Sequence, residues 1–376
     1  MKLSWFSDLF GGRSRRFYRW LSSATYGDEK RERELVSLLA FAGADVGGWR
    51  FADDTSLHAA TRSGDVMAVV KQLLAGGLNV NTADDRGVTA LMAAASDGHD
   101  ISYLLEAGAN PNAADKIGMT ATIFAAHKGH TEVVKLLLAS GANPDAANKI
   151  EFTALMYAAS KNYIEVVNVL LAAKANPNAA DKDGTTALTF AAHKGHAEVV
   201  KLLLAAGANP NAVNKDGVTP IRLTAEDCHT DVAELLLAAG ANPNAADKDG
   251  VTAIRQAAGC KHAPSEGALL HQMKLLLAAG ANPNAADKDG VTALMIAVWS
   301  NHPSVVELLL AAKANPNAAD KDGTTAIMYA ARKDYIERIK LLIPAMDNSD
   351  AAANIEVVKL LLAAKANPNA ADKDGT

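Results

Sequence analysis

The pair Gly-His recurs at one register of this sequence. Gly-His occurs at His99, His130 and His196, and the last two are followed two residues later by glutamate. A catalytic histidine needs a nucleophile or a carboxylate held against it. The His-x-Glu spacing of zinc deaminases also needs a Pro-Cys-x-x-Cys partner, which the sequence lacks. Recurrence of the same pair at a helix terminus therefore favours a structural histidine over a catalytic one.

The two cysteines, Cys228 and Cys260, are the other candidates for chemistry. Together with His229, His262 and His271 they could supply ligands to zinc. Structural zinc sites usually contain a Cys-x-x-Cys pair, and the sequence has none. We therefore predict free, buried or half-buried thiols and no metal. Two cysteines are also too few for a disulfide scaffold and indicate a reducing compartment.

A repeated Asp-Lys-Asp-Gly sequence, as at 181–184, is similar to part of a calcium-binding loop. With Asp183 at the fifth position of such a loop, the first and twelfth positions fall on Ala179 and Phe190, which cannot coordinate calcium. The sequence also lacks a phosphate-binding glycine loop, a dinucleotide fingerprint and a His-Glu-x-x-His motif. We predict no enzyme activity and no cofactor.

Composition argues against two further classes of protein. The chain has 376 residues, 49% of them hydrophobic, and its 37 basic and 42 acidic residues give a net charge of −5. This balance disfavours binding to nucleic acid through its phosphates. No apolar stretch reaches the roughly 18 residues of a membrane span, and the first residues lack the continuous apolar core of a secretion signal. We expect a cytoplasmic protein.

The chemistry-bearing residues lie on an internal repeat. Its helix start, Thr-Ala-Leu or a close variant, recurs at Thr55, Thr89, Thr120, Thr153, Thr186, Thr219, Thr252, Thr292 and Thr325. The commonest spacing is 33 residues, as between Thr153 and Thr186. A fixed period of this length is the signature of a stacked-repeat architecture.

Local chemistry predicts two helices in each repeat. Thr186 can cap a short first helix, which contains a pair of alanines small enough for close helix packing, and Gly195 can end it. The second helix places Val199, Leu202 and Leu203 on one apolar face. One unit cannot bury this face alone, but stacked neighbours can.

The unit resembles the ankyrin repeat. The resemblance rests on the Thr-Ala-Leu helix start, the alanine pair, Gly-His, the Val-Val and Leu-Leu run and Gly-Ala-Asn, and it covers roughly residues 50 to 376. It implies an all-α solenoid of helix–turn–helix units joined by hairpin loops, with a non-enzymatic role in protein recognition. The alanine-rich, nearly identical units resemble those of bacterial ankyrin proteins, some of which are delivered into host cells; the sequence itself does not show delivery.

The pattern predicts four segments along the chain. These are a basic and aromatic segment over 1–28, a degenerate first unit over 29–49, nine repeats over 50–343, and a decayed terminal unit over 344–376. On a helix, the apolar residues of the first segment would share one face, which suits a cap on the end of the stack. Contact of residues 1–20 with an anionic membrane is the alternative, which we do not favour.

Two departures from the repeat carry structural expectations. One repeat has an insertion within 260–270, which we expect to form a loop between its helices. In three repeats lysine replaces the glycine that follows the second helix, at Lys174, Lys313 and Lys365. This position usually needs a left-handed backbone, which a residue with a Cβ adopts at a cost.

Positions that differ between repeats are candidates for partner binding. The two residues before the Gly-His site vary, and the ankyrin resemblance places them on the concave face beside the hairpin tips. The tips themselves are uniform, as in Lys182-Asp183 and Lys248-Asp249. The predicted partner-binding residues are Met119, His127, Lys128, Phe152, Lys161, His193, Lys194 and, as a second anchor, Trp299.

An apolar pair among cations would suit an acidic protein surface, or a peptide with an aliphatic anchor. Free drift of surface residues after duplication is the alternative, and the Trp299 ring could instead pack over the next unit. We predict a scaffold or adaptor that binds a protein partner and no nucleic acid. The alternative is the substrate-recruiting region of a larger enzyme or secreted effector whose other domain lies beyond residue 376.

Overall fold

The computed structural model describes residues 50–51, 54–55, 79–260, 265–330, 349–368, 370 and 372–373. The chain divides into two compact units. The first comprises Met1–Tyr157 and Ala172–Ala175, and the second comprises Ala158–Leu171 and Asn176–Thr376.

The described residues form an all-α repeat protein with one short strand pair. Strands β1 (Arg50–Phe51) and β2 (Asp54–Thr55) pair antiparallel. The helices are α1 (Ala90–Asp97), α2 (Ser102–Glu106), α3 (Ala121–Lys128), α4 (Thr131–Ala139), α5 (Ala154–Ser160), α6 (Ile164–Ala172), α7 (Ala187–His193), α8 (Ala197–Ala205), α9 (Pro220–Thr224), α10 (Thr230–Ala238), α11 (Ala253–Ala258), α12 (Glu266–Ala278), α13 (Ala293–Trp299), α14 (Pro303–Ala311) and α15 (Ser349–Ala363). The all-α solenoid class expected from the sequence is confirmed.

The first helices α3 and α7 begin after the repeated threonine, as the sequence predicts. Thr120 and Thr186 have extended backbones, and their hydroxyls accept the N–H groups of Ile123 and Thr189, each at 3.3 Å. These bonds satisfy one of the otherwise unpaired donors at a helix start. Gly129 ends α3 with a left-handed backbone, φ 80°.

The cores are built from alanines on first helices and branched residues on second helices. In the first unit, Ala125 and Ala126 of α3 and Val134 and Leu137 of α4 have no exposed surface. The second unit repeats this arrangement on α7 and α8. Because the alanines are small, consecutive first helices approach closely, and every repeat depends on its neighbour for burial.

The Asp-Lys-Asp-Gly loop is a turn closed by its first carboxylate. Asp181 Oδ1 accepts the backbone N–H groups of Asp183 and Thr185 at 2.9 and 2.8 Å. The Gly184 N–H returns to the Asp181 carbonyl at 2.9 Å. Gly184 has a φ of 81°, and a Cβ built on it would lie 3.2 Å from the Cα of Asn214 in the next hairpin. The repeated acidic residue and glycine are therefore explained by turn geometry and close hairpin packing.

One asparagine per hairpin joins consecutive repeats. Asn211 Nδ2 donates to the Gly240 carbonyl at 3.0 Å, and Asn211 Oδ1 accepts the Asn242 N–H at 2.7 Å. The same pair of bonds is made by Asn81, Asn112, Asn178, Asn244, Asn284 and Asn317. Among the neutral side chains, only a primary amide has both an N–H donor and a carbonyl acceptor, so that one side chain can make both of these bonds.

The insertion within 260–270 is helical over its second part. Helix α12 begins at Glu266, and the hydroxyl of Ser265 caps it by accepting the Ala268 N–H at 3.1 Å. The expectation of a loop across the whole insertion is therefore wrong from Glu266 onwards, because a serine cap starts the second helix early.

Several predicted segments lie outside the described residues. They are 1–28, all of 29–49, residues 52–53, 56–78, 261–264 and 331–343 of the predicted nine repeats, and residues 344–348, 369, 371 and 374–376 of the predicted terminal unit 344–376. Helix α15 lies within that terminal unit and packs against α14.

The three lysines that follow second helices have the expected left-handed backbone. Lys174, Lys313 and Lys365 have φ values of 62°, 65° and 65°. Gly207 and Gly240 hold the same position in other repeats at φ 86° and 84°, and an added Cβ there would meet no atom within 4 Å. The lysines are thus strained by their own backbone and not by crowding.

Replacing Lys174 or Lys313 with glycine is expected to raise the free energy of unfolding by about 0.5–1 kcal/mol. Glycine adopts this backbone without the Cβ penalty, although its freedom in the unfolded chain offsets part of the gain. Urea unfolding followed by circular dichroism measures the change. Gly207→Lys is the matched control and should lose stability. A loss of stability in both lysine variants would show that the left-handed backbone at these lysines is not what limits the helix end.

Asp145 interrupts the asparagine series. It occupies the register of Asn112 and Asn178, and a carboxylate can accept an N–H but cannot donate to the carbonyl at Lys174. Asp145→Asn supplies that donor and is expected to stabilise the fold by about 0.5–1.5 kcal/mol. The converse variant, Asn178→Asp, should destabilise it. If urea midpoints move down for Asp145→Asn, the bridging role assigned to the amide is wrong.

Candidate protein-interaction surface

The varying residues lie at the ends of first helices. His127 and Lys128 are the last residues of α3, His193 is the last residue of α7, and Trp299 is the last residue of α13. This position holds each side chain at the rim of its repeat, next to buried alanines. Lys128, Lys161 and Lys194 are exposed, and none of them is among the ion pairs of the described residues.

In the first unit, Tyr157 brings two of the predicted residues together. The ring of Phe152 lies 4.5 Å from the Tyr157 ring, and the imidazole of His127 meets it edge-on at 5.0 Å. Asn148 Nδ2 donates to the Tyr157 hydroxyl at 3.3 Å. Burial raises the pKa of Tyr157 above its ordinary value, against the opposing effect of the Asn148 hydrogen bond, so this hydroxyl stays neutral. The cluster is half-buried and forms an apolar surface with a polar edge.

Met119 does not belong to the exposed surface. It is only 7% exposed, and its sulfur lies 3.7 Å from Asn148 Nδ2. The Asp115 carboxylate holds this segment by accepting the Met119 N–H at 2.8 Å. The prediction of Met119 as an anchor is therefore wrong: the side chain fills space beneath the next hairpin.

Two exposed apolar residues at the hairpin tips are not among the residues predicted by comparing the repeats with one another. Ile117 is 60% exposed and Ile150 is 55% exposed. The signal was visible in the sequence, because Asp-Lys-Ile-Gly and Asn-Lys-Ile-Glu replace the usual Asp-Lys-Asp-Gly at these tips.

In the second unit, His193 lies against acidic groups. Its Nε2 atom is 3.7 Å from a carboxylate oxygen of Glu226. Arg222 lies 2.8 Å from the other Glu226 oxygen and 2.9 Å from an oxygen of Asp247. His193 is therefore part of a charge network, whereas the neighbouring Lys194 faces solvent.

Trp299 packs against the next repeat and is also exposed. Its ring meets the Tyr329 ring of the next repeat edge-on at 5.8 Å, yet the side chain is 57% exposed. The Tyr329 hydroxyl donates to Asp320 Oδ2 at 2.7 Å, which fixes the ring beneath the indole. A fixed, exposed indole is suited to contact a partner.

The cysteines are free and buried, as predicted. The Cys260 thiol donates to the Glu226 carbonyl at 3.3 Å. A hydrogen bond with Cys260, together with burial, raises the pKa of the Cys228 thiol far above its ordinary value. Cys228 therefore stays protonated and is a poor nucleophile and metal ligand. No group of three side chains able to hold a metal occurs in the described ranges, and His262 lies outside them.

The Gly-His histidines lie between consecutive repeats. His130 Nε2 is 3.0 Å from the Ser96 carbonyl oxygen, and His196 Nε2 is 3.2 Å from that of Ser160. A Cβ on Gly98 would come within 2.7 Å of the His130 ring, so glycine is needed there. Burial lowers the pKa of His196, against the opposing effect of the Ser160 carbonyl.

The lowered pKa of His196 predicts a pH dependence of stability. As pH falls from about 7, the unfolded chain takes up this proton before the folded chain does, so the free energy of unfolding decreases until the pH passes below the lowered folded pKa. His196→Gln cannot titrate and should lose less stability than the wild type between pH 7.5 and 5.5 in urea unfolding. An equal loss in both proteins would contradict the assignment.

The described residues define a tandem-repeat protein. Its helix pairs stack on one another, hairpins bridge them, and non-repeating residues lie at the rims. The family model of three ankyrin repeats matches residues 24–115, 101–181, 155–247, 188–271 and 260–352. The chain belongs to the ankyrin repeat family. Ankyrin repeats are protein-interaction modules and typically carry no catalysis. The bacterial resemblance stays a prediction.

A search of curated proteins returned no match to this chain. Within the described ranges, no helix has both the length and the apolarity needed to cross a membrane.

Proposed function

We propose that this chain is a non-enzymatic scaffold or adaptor that binds an acidic protein partner in the cytoplasm. The observation that carries the proposal is the contrast between framework and rim. Buried positions such as Ala125 and Leu137 repeat along the chain, while exposed positions at the ends of first helices do not. Framework residues explain the fold, so the rim residues are the ones available for recognition.

The rim chemistry supports an acidic partner. Lys128 presents an exposed ammonium group at the end of a first helix in the first unit, and Lys161 and Lys194 present such groups in the second unit. Phe152 and Trp299 add half-buried and exposed aromatic surface, which contributes large contact area at low cost in side-chain entropy. Charge complementarity of this kind chiefly raises association rates and selects among partners.

Cysteine usage supports the proposed compartment. The sequence has two cysteines, which are too few for the disulfide scaffold typical of an oxidising compartment.

Charge reversal tests this proposal. The triple variant Lys128→Glu, Lys161→Glu, Lys194→Glu is expected to reduce partner capture at least tenfold, because the partner then meets like charge. Capture from native cell extract, quantified by mass spectrometry, gives the readout, and circular dichroism confirms the helical content.

The matched control reverses three lysines of second helices, at Lys135, Lys201 and Lys274. It makes the same change in net charge and should keep full capture of the same protein. If the rim variant captures that protein as well as the control does, the partner binds elsewhere and the proposed rim is wrong.

A further inference from the structure

The hairpin tips of the first unit differ in chemistry from those of the second. The third tip residue is Asp183, Asp216, Asp249, Asp289 and Asp322 in the second unit. In the first unit the same position holds Arg86, Ile117 and Ile150. Two of the three first-unit tips therefore carry an apolar residue and the other carries a basic one, on the same backbone turn that holds an acidic residue in the second unit.

Backbone hydrogen bonds hold the two isoleucine tips side by side. The Lys149 N–H donates to the Ile117 carbonyl at 2.9 Å, so Ile150 directly follows the residue bonded to the first tip. In the second unit the same bond joins Lys321 to Asp289 at 2.7 Å. Two large aliphatic side chains, each more than half exposed, therefore project from neighbouring tips.

Ile117 lacks the carboxylate that, at two tips of the second unit, pairs with the lysine of the next tip. Lys321 Nζ lies 2.7 Å from Asp289 Oδ1, and Lys288 Nζ lies 3.9 Å from Asp249 Oδ1. By the same register, Lys149 faces Ile117, which has no carboxylate. One tip earlier, Lys116 faces Arg86, a second cation.

The other charges near these tips do not replace the lost partner. The Asp84 carboxylate is bound to the Arg86 guanidinium at 3.0 Å, and Asp115 Oδ1 accepts the backbone N–H groups of Ile117 and Met119. Glu151 is exposed beside Ile150 and adds an anion at the edge of this surface.

Aromatic side chains extend the apolar area inward from the tips. Phe152 follows Ile150 by two residues and packs on Tyr157. Exposed aliphatic residues that continue into a half-buried aromatic cluster form a contiguous patch, which marks an interaction site more often than scattered residues do.

We propose that Ile117, Ile150, Lys116 and Lys149 form a docking surface, the tip surface, for a partner segment that carries an aliphatic or aromatic side chain next to a carboxylate. The partner's apolar side chain packs between the isoleucines. Its carboxylate supplies to Lys149 the anion that Asp289 supplies to Lys321 within the chain. The proposal rests on the proposed binding function and names the chemistry of the partner segment.

The test uses a display library of random 12-residue peptides selected on the full chain. The comparison variant is Ile117→Asp with Ile150→Asp, which installs the residue that other tips already carry and so preserves the turn. We expect the selected peptides to pair a leucine, isoleucine or phenylalanine with an adjacent Asp or Glu, and to bind the double variant at least tenfold more weakly. Lys116→Glu with Lys149→Glu should weaken the same peptides.

Val213→Asp is the matched control, because Val213 is also an aliphatic side chain with 58% exposure, but on a hairpin of the second unit. Binding should be unchanged in this variant. The tip surface is overturned if no peptide is enriched, if enriched peptides lack carboxylates, or if they bind the double variant equally.

Two further outcomes would identify a different binding surface or a different occupant. Peptides that lose binding only when Lys128, Lys161 and Lys194 are reversed would support the proposed rim function and overturn the tip surface. Concentration-dependent association of the wild-type chain in sedimentation, abolished by the double isoleucine variant, would identify a second copy as the occupant and would also overturn the proposal.

Discussion

In seven hairpins of the described residues, the side-chain amide of an asparagine ties one repeat to the next, and the rest of the structure depends on this joint. Asn211 shows its two halves, a donated bond to Gly240 and an accepted bond from Asn242. The acceptor carbonyl belongs to the residue that ends the second helix with a left-handed backbone. The helix end and the hairpin bridge therefore depend on each other, because the backbone conformation at that residue orients the carbonyl that accepts the asparagine N–H.

This joint explains why variation is confined to particular places. The threonine caps start the first helices, and the alanine pairs and Gly-His contacts hold one repeat against another, so these residue types recur. Exposed residues such as Lys128 at the end of a first helix and Ile150 at a hairpin tip lie on segments whose course is fixed by other groups, namely backbone bonds and the first residue of the turn. Recognition can therefore diversify at Lys128 or Ile150 without loss of packing.

Much of the fold could be predicted from the sequence, because the same helix caps and apolar positions recur in successive repeats. The period, the Thr186 cap and the left-handed lysines all come from short-range rules. The early start of α12 did not follow, because one serine cap within an insertion competes with several loop-forming residues.

The candidate site was less accessible to sequence reasoning. Met119 stands at a position that differs between repeats, which predicts exposure, but the Asp115 carboxylate holds its backbone and its side chain lies beneath the next hairpin. The majority pattern Asp-Lys-Asp-Gly predicts uniform tips, and Ile117 and Ile150 depart from it. Burial at these positions depends on the neighbouring repeat, and a single repeat's residues do not specify it.

In the proposed function, partners bind the non-repeating rim and tips, and the repeated framework serves to hold them. Hydrogen–deuterium exchange of the full chain, with and without its captured partner, tests this most directly. We predict new protection within 116–128 and 149–157, and unchanged exchange in the second helices at 131–139 and 197–205. Protection confined to those second helices, with none in the rim and tip segments, would contradict it.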